Sequence, residues 1–420
     1  MFIRNYDYQI DTKFNETNVF VKAEVNNKVI NIPFDIKTIE SNLGVFGGTR
    51  SGKTTFLINL IQKLRRSNPD ILFVILDVKK DFSMLHKEGD KIFSIKNENG
   101  KMNISWSILK ECYDSKYSKD TLKEIIQIMF EKTIKDSSQP FFPEAAQEVL
   151  YGLLLYLLNN KVMMSNKQIL QWIKSLSLNN IKKILESQDL QYINTNYLYE
   201  NQTKMSGQCS GILSTLYLII DSYFIQDETT LYSTQDILNM EKGSLFLQYD
   251  IRFQKSCNNL MRLILKLIIQ NKLSINSNNK RVFLVLDEVS VLQGDFFLSQ
   301  VLNIGAGKKI STILSLQSID LLYQCINNQS EHDVNSILGG FQNFVCFRPR
   351  DIPTKNFIQH LGGETIMEFS ILPSNHLNTV QTILQKDNIV TSKDIEALNI
   401  GEVYIKILNK PIFRARLLEY

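Results

Sequence analysis

The residues with the clearest chemical purpose are Gly47-Gly48-Thr49-Arg50-Ser51-Gly52-Lys53-Thr54, followed at once by Thr55. Glycines at 47 and 52 let a backbone curl until successive N–H groups point inward, and such a concave row of donors suits phosphate oxygens. A helix starting at the end of the loop adds the positive end of its dipole. In this spacing Lys53 reaches the β and γ phosphates of a triphosphate, and the Thr54 hydroxyl ligates magnesium. The pattern predicts that residues 47–55 bind ATP with Mg²⁺.

Further residues extend the expectation from binding to hydrolysis. Asp287 and Glu288 end the apolar run Val282-Phe283-Leu284-Val285-Leu286. At the C-terminal end of a strand in an open α/β sheet, Asp287 is placed to hold the magnesium through its water shell. Glu288, one residue on, is placed to polarise attacking water as a general base. Gln317, after Ser311-Thr312-Ile313-Leu314-Ser315-Leu316, offers a neutral amide to sense the γ-phosphate or orient water. Arg348 and Arg350, in Phe347-Arg348-Pro349-Arg350-Asp351, are expected to reach a nucleotide across a subunit boundary, where a trans arginine is worth about 10³ to 10⁵ in rate.

These groups need a scaffold that delivers strand ends to one place. The run at 71–78 is continuously apolar, as parallel strands covered on both faces are; those at 244–250, 282–289 and 311–318 have similar character, and 343–349 reads as a fifth. Between Thr54 and Arg66, residues Phe56, Leu57, Leu60, Ile61 and Leu64 fall on one helical face, and Ser67-Asn68-Pro69 ends that helix. Strand and helix in alternation predict an α/β fold with a doubly wound, mostly parallel central sheet. Residues 1–42 read as a β-rich leader with a hairpin turn at Asn26-Asn27. From 107 to 235 the pattern is helix after helix, an expected all-α insertion that leaves 43–106 and 236–420 to the nucleotide-binding domain.

Composition narrows the class. With 44% hydrophobic and 21% charged residues, the chain is ordinary globular protein. A net charge of +4 is too small for a chain that coats nucleic acid, but allows DNA contact where basic groups cluster, as in a ring lumen. The five cysteines form no C-x-x-C pair and the four histidines are scattered, so neither a zinc site nor a disulfide framework is expected. Nothing near the start reads as a signal peptide and no apolar stretch is long enough to span a bilayer, so the expected location is the cytoplasm.

The weaker motifs, in order, resemble the conjugative coupling proteins of type IV secretion systems (the TraD/TraG type). They are Asp287-Glu288, Ser315-Leu316-Gln317-Ser318, Gly339-Gly340-Phe341-Gln342-Asn343 and Phe347-Arg348-Pro349-Arg350-Asp351. Thr49-Arg50-Ser51-Gly52-Lys53 resembles that family's nucleotide loop. Asp77-Val78-Lys79-Lys80-Asp81 is similar to its Asp-x-Lys-Gly-Asp motif, with Lys80 in place of glycine. The helical stretch sits where the family's all-α domain sits. The resemblance implies a RecA-like motor in a homo-hexameric ring. It implies that the ring drives DNA, or a relaxase bound to DNA, toward a secretion channel, with lumenal lysines and arginines tracking phosphates without reading sequence. Two departures stand out. The family usually begins with a transmembrane hairpin and none is read here, which implies a separate membrane partner or a soluble branch. Ala306, in Gly305-Ala306-Gly307-Lys308-Lys309, stands where the family tends to carry an arginine, and lysine does not reproduce the bidentate fork. Alternatives left open are an FtsK/HerA-like segregation or packaging ATPase, a slow nucleotide-dependent cargo adaptor, and, least favoured, a small-molecule kinase.

Overall fold

The computed structural model describes residues 2–3, 18–96, 100–187, 198, 200–201, 204–226, 229–249, 251–274, 278–292, 298–325, 331–371 and 381–419. Residues 4–17 of the expected leader, and Asp250 at the end of one apolar run, lie outside the described residues. The chain forms two compact units, one from residues 1–71 with 281–420 and the other from residues 72–280.

The first unit is built on four parallel strands in the spatial order Val282–Asp287, Ile310–Leu316, Leu43–Phe46, Asn343–Cys346. Every residue of these strands is buried, in keeping with their largely apolar sequences. Beyond Asn343–Cys346 the sheet turns antiparallel through Glu402–Lys406, Phe413–Leu417, Phe20–Val25 and Lys28–Pro33. In Phe413–Leu417 alternate residues are buried and exposed, as in a sheet wetted on one face. Asn26 and Asn27 join Phe20–Val25 to Lys28–Pro33 with φ of 49° and 61°, the left-handed pair that a two-residue hairpin turn needs.

The register of the parallel strands is fixed at their N-terminal ends by two buried asparagines. Asn42 donates to the Gly340 carbonyl at 2.9 Å and accepts from the Thr312 amide at 2.8 Å. Asn343 donates to the carbonyls of Thr38 at 2.7 Å and Asn42 at 3.0 Å, and accepts from the Leu408 amide at 3.1 Å. Helix Lys53–Ser67 buries Phe56, Leu57, Leu60, Ile61 and Leu64, the face expected from sequence. Phe56 meets Phe34 and Phe347 edge-on, with centroids 5.6 and 6.1 Å apart.

The second unit carries five parallel strands in the order Thr230–Tyr232, Asn103–Trp106, Lys91–Ser94, Leu245–Gln248, Leu72–Leu76. Between Trp106 and Thr230 run helices Ile108–Asp114, Ser118–Asp136, Phe141–Asn159, Asn166–Ser175, Leu178–Glu186 and Gly207–Tyr223. Ser107, Ser165, Ser177 and Ser206 each start a helix by accepting a backbone N–H on the side-chain oxygen.

A buried carboxylate ties these helices to the sheet. Glu111, 2% exposed, accepts from Trp106 Nε1 at 2.9 Å, the Thr234 amide at 2.7 Å, Asn271 Nδ2 at 3.0 Å and the Thr234 hydroxyl. Burial pushes its carboxyl pKa up, while the bonds from Thr234, Trp106 and Asn271 pull against that shift. Glu111→Ala leaves these donors facing an empty site. The expected loss is roughly 3–5 kcal/mol of stability, read as a lower urea midpoint with an unchanged m-value.

The Asp-Val-Lys-Lys-Asp motif also lies in this unit. Asp77, 1% exposed, accepts from Gln248 Nε2 at 2.7 Å and from the Phe82 amide at 3.3 Å. Lys80 has φ of 60°, the left-handed conformation that glycine adopts without cost, so the glycine of the similar family motif falls on a position whose backbone favours it.

Candidate active site

The loop leaves its strand at Phe46 and is gripped from both sides. The Gly47 amide donates to the Leu316 carbonyl at 3.2 Å, and the Gly48 amide to the Arg348 carbonyl at 2.9 Å. At Gly47 φ is +149°, and a Cβ there would lie 2.5 Å from the Phe347 Cβ and 3.1 Å from the Ser51 hydroxyl. Gly52, with φ of 107°, is the turn from which helix Lys53–Ser67 starts. Arg50 is left-handed too, at 61°. These angles curl the backbone of 47–52 as the glycine spacing demands.

Lys53 is 8% exposed, and its ammonium is turned onto the loop, donating to the Gly47 carbonyl and, at 3.1 Å, to the Gly48 carbonyl. The Ser51 hydroxyl is buried in the same loop with no hydrogen-bond partner. The orphaned hydroxyl is a donor with unspent capacity, as an anion cradle requires. Thr54 is half-buried in the first turn of the helix, Thr55 is exposed beside it, and Thr49 and Arg50 are exposed at the loop tip. These residues fit a magnesium-bound triphosphate.

Strand order brings the acids to this loop. Ile310–Leu316 lies directly between Val282–Asp287 and Leu43–Phe46, with Asp287 in register with Ser315 and Ser315 with Val45. Asp287 ends its strand 8% exposed. Glu288 adopts φ of 52°, an unfavourable left-handed conformation for a glutamate, and its amide donates to the Ser315 carbonyl at 3.2 Å. Its Oε1 accepts a hydrogen bond from Gln317 Nε2. The expected base and the expected sensor are therefore in direct contact, and the strained backbone aims one at the other.

Arg348 and Arg350 are exposed and stand beside their own chain's loop, because Asn343–Cys346 neighbours the loop strand. Arg348 holds Gly48 through its carbonyl, and Arg350 Cγ lies 3.2 Å from where a Gly48 Cβ would be. The geometry sets both next to the loop of their own chain. With Lys355, Leu398, Asn399 and Ile400 they line a cavity of ≈ 580 Å³ along the loop. Lys355 Nζ lies 2.5 Å from Glu396 Oε1, and this bond holds the Glu396 carboxyl below the usual range. Leu398 is buried and Ile400 is 67% exposed, so apolar side chains as well as arginines line the cavity. Nothing in the sequence singles out 396–400, which lie some 350 residues from the loop.

Ala306 is exposed in the turn Gly305–Lys308, which precedes Ile310–Leu316. That seven-residue strand separates Lys308 and Lys309 from Gln317 by about 26 Å or more along the strand, so neither serves the site of its own chain. Among the described residues no helix is long and apolar enough to cross a membrane.

Known structures share this fold. The bacterial conjugative coupling protein TrwBΔN70, in a trigonal form with sulphate, superposes with a TM-score of 0.70 at 15% identity over 97% of this chain and 91% of that one. The plasmid coupling protein TrwB with ADP and Mg²⁺ gives 0.67 at 14% identity, covering 97% and 90%. VirB4 of Thermoanaerobacter pseudethanolicus gives 0.56 at 11% identity, covering 97% and 98%. At these identities the likeness is one of fold. No curated protein matches by sequence. The profile of the type IV secretion-system coupling protein DNA-binding domain matches residues 27–417, nearly the whole sequence. The chain belongs to the family of type IV secretion-system coupling proteins.

Proposed function

We propose that this protein is an ATP-hydrolysing motor that moves DNA, or a relaxase bound to DNA, toward a type IV secretion channel. The observation that carries the hydrolytic part is the convergence of loop, acids and amide at adjacent strand ends. Lys53 releases the loop carbonyls and neutralises β and γ oxygens. Backbone N–H groups of 49–53 and the Ser51 hydroxyl cradle the phosphates. Thr54 and Asp287 hold Mg²⁺, which supplies charge neutralisation when bound. Glu288 takes the proton of the attacking water, and Gln317 fixes the direction of its carboxylate. Arg348 and Arg350 flank the phosphates in cis, and Leu398 and Ile400 give the nucleoside an apolar wall. The nucleotide-bound TrwB structures of the same fold support this reading.

Family membership supports a DNA-handling role, sequence-independent contact with DNA, and assembly as a homo-hexamer working with secretion proteins. The helices between Ile108 and Tyr223 are proposed to handle cargo. Ala306 favours a second reading, a slow nucleotide-dependent adaptor without a trans arginine. ATP turnover measured with single-stranded and double-stranded DNA separates the two. Stimulation by either DNA is the expected result, and a flat, negligible rate with both would overturn the motor in favour of the adaptor.

A further inference from the structure

Ser315 sits at a position that the nucleotide chemistry described above does not use. It lies in the strand between the acid strand and the loop strand, in register with Asp287 on one side and Val45 on the other. Cα partners in neighbouring parallel strands point their side chains to the same face of the sheet. Ser315 therefore shares a face with Asp287, two residues before Gln317. It is 1% exposed, and its hydroxyl has no hydrogen-bond partner. An orphaned hydroxyl in a buried strand is unfavourable, and persists where something else satisfies it.

Thr312 provides the contrast within the same strand. Its hydroxyl is also buried and without a partner, but it lies three residues away, on the opposite face, in register with Leu284. Only Ser315 shares its row with the acid.

We propose that the Ser315 hydroxyl is a positioning group for the magnesium site, hydrogen-bonding to the water shell that Asp287 holds. The assignment rests on the reading of Asp287 as the magnesium carboxylate. A hydroxyl beside such a carboxylate orders the metal's waters without adding charge, and groups in this outer position typically change metal affinity about 10-fold or more.

The test is binding of a fluorescent ATP analogue to the full-length protein as Mg²⁺ is titrated. In Ser315→Ala the Mg²⁺ needed for half-saturation is expected to rise about 10-fold. Affinity for the analogue in EDTA stays unchanged, and the melting temperature of the protein alone does not fall, because no bond within the protein is lost and an unsatisfied buried hydroxyl is removed. Ser315→Cys, which keeps the shape but donates weakly, shows the same rise. Thr312→Val removes an equally orphaned hydroxyl and leaves the Mg²⁺ titration as in wild type. A wild-type Mg²⁺ midpoint in Ser315→Ala or Ser315→Cys would overturn the proposal. A wild-type protein that binds no analogue at any Mg²⁺ concentration would instead overturn the nucleotide reading beneath it.

Discussion

Glu288→Gln is expected to bind ATP as the wild type does and to lose turnover by about 10² to 10⁴, the usual contribution of a general base. Glutamine keeps the length of the side chain and the oxygen that accepts from Gln317, but cannot take a proton. Bound nucleotide should then persist as triphosphate when the protein is recovered from a single-turnover mixture. Diphosphate formed at the wild-type rate would remove Glu288 from the base role. The backbone supplies a companion test. Because Glu288 is held at φ of 52°, Glu288→Gly relieves a conformation that costs non-glycine residues about 1–2 kcal/mol. After glycine's own entropic penalty, that variant should unfold later than wild type by up to about 1 kcal/mol while being inactive. A site that spends stability to aim a carboxylate behaves in this way, whereas a strained surface turn would gain stability and keep its activity.

Lys53→Ala is expected to weaken ATP binding by at least about 100-fold, since it removes charge-assisted hydrogen bonds worth roughly 1.5–3 kcal/mol each. In the structure the ammonium satisfies the Gly47 and Gly48 carbonyls, so its loss also loosens the curl that presents the loop's N–H groups. Lys53→Arg should fail nearly as badly, because the forked guanidinium does not fit a site 8% exposed and shaped for a point charge. Isothermal titration with an ATP analogue measures both. An affinity equal to wild type in Lys53→Ala would place the triphosphate elsewhere.

The parts of the fold visible in sequence are those with local causes. The buried face of Lys53–Ser67 follows from the spacing of Phe56, Leu57, Leu60, Ile61 and Leu64. The apolar runs in Leu72–Leu76 and Val282–Asp287 announce strands covered on both faces. Asn26-Asn27 marks its hairpin because few other pairs tolerate two left-handed residues. The loop and the acid pair were legible for a similar reason, since phosphate binding constrains residue type over a short span.

What sequence could not display depends on contacts between distant positions. Asn42 and Asn343 are 301 residues apart and lock three strand ends together, yet each reads alone as an ordinary loop asparagine. The contact of Gln317 with Glu288 depends on strand order, which places Ile310–Leu316 next to Val282–Asp287. The arginines lie beside their own loop because Asn343–Cys346 pairs with Leu43–Phe46, a pairing that periodicity does not specify. Ser315 is one more polar residue in an apolar run until its register with Asp287 is known.

The most direct measurement is an experimental structure of the protein with Mg²⁺ and a non-hydrolysable ATP analogue. The expected result has the phosphates inside the curl of residues 47–54, Lys53 swung from the Gly47 and Gly48 carbonyls onto them, and the metal between Thr54 and Asp287. The nucleoside should lie in the cavity walled by Leu398 and Ile400. Phosphates bound away from the loop, or a metal remote from Asp287, would contradict the assignment of this site as an ATPase centre.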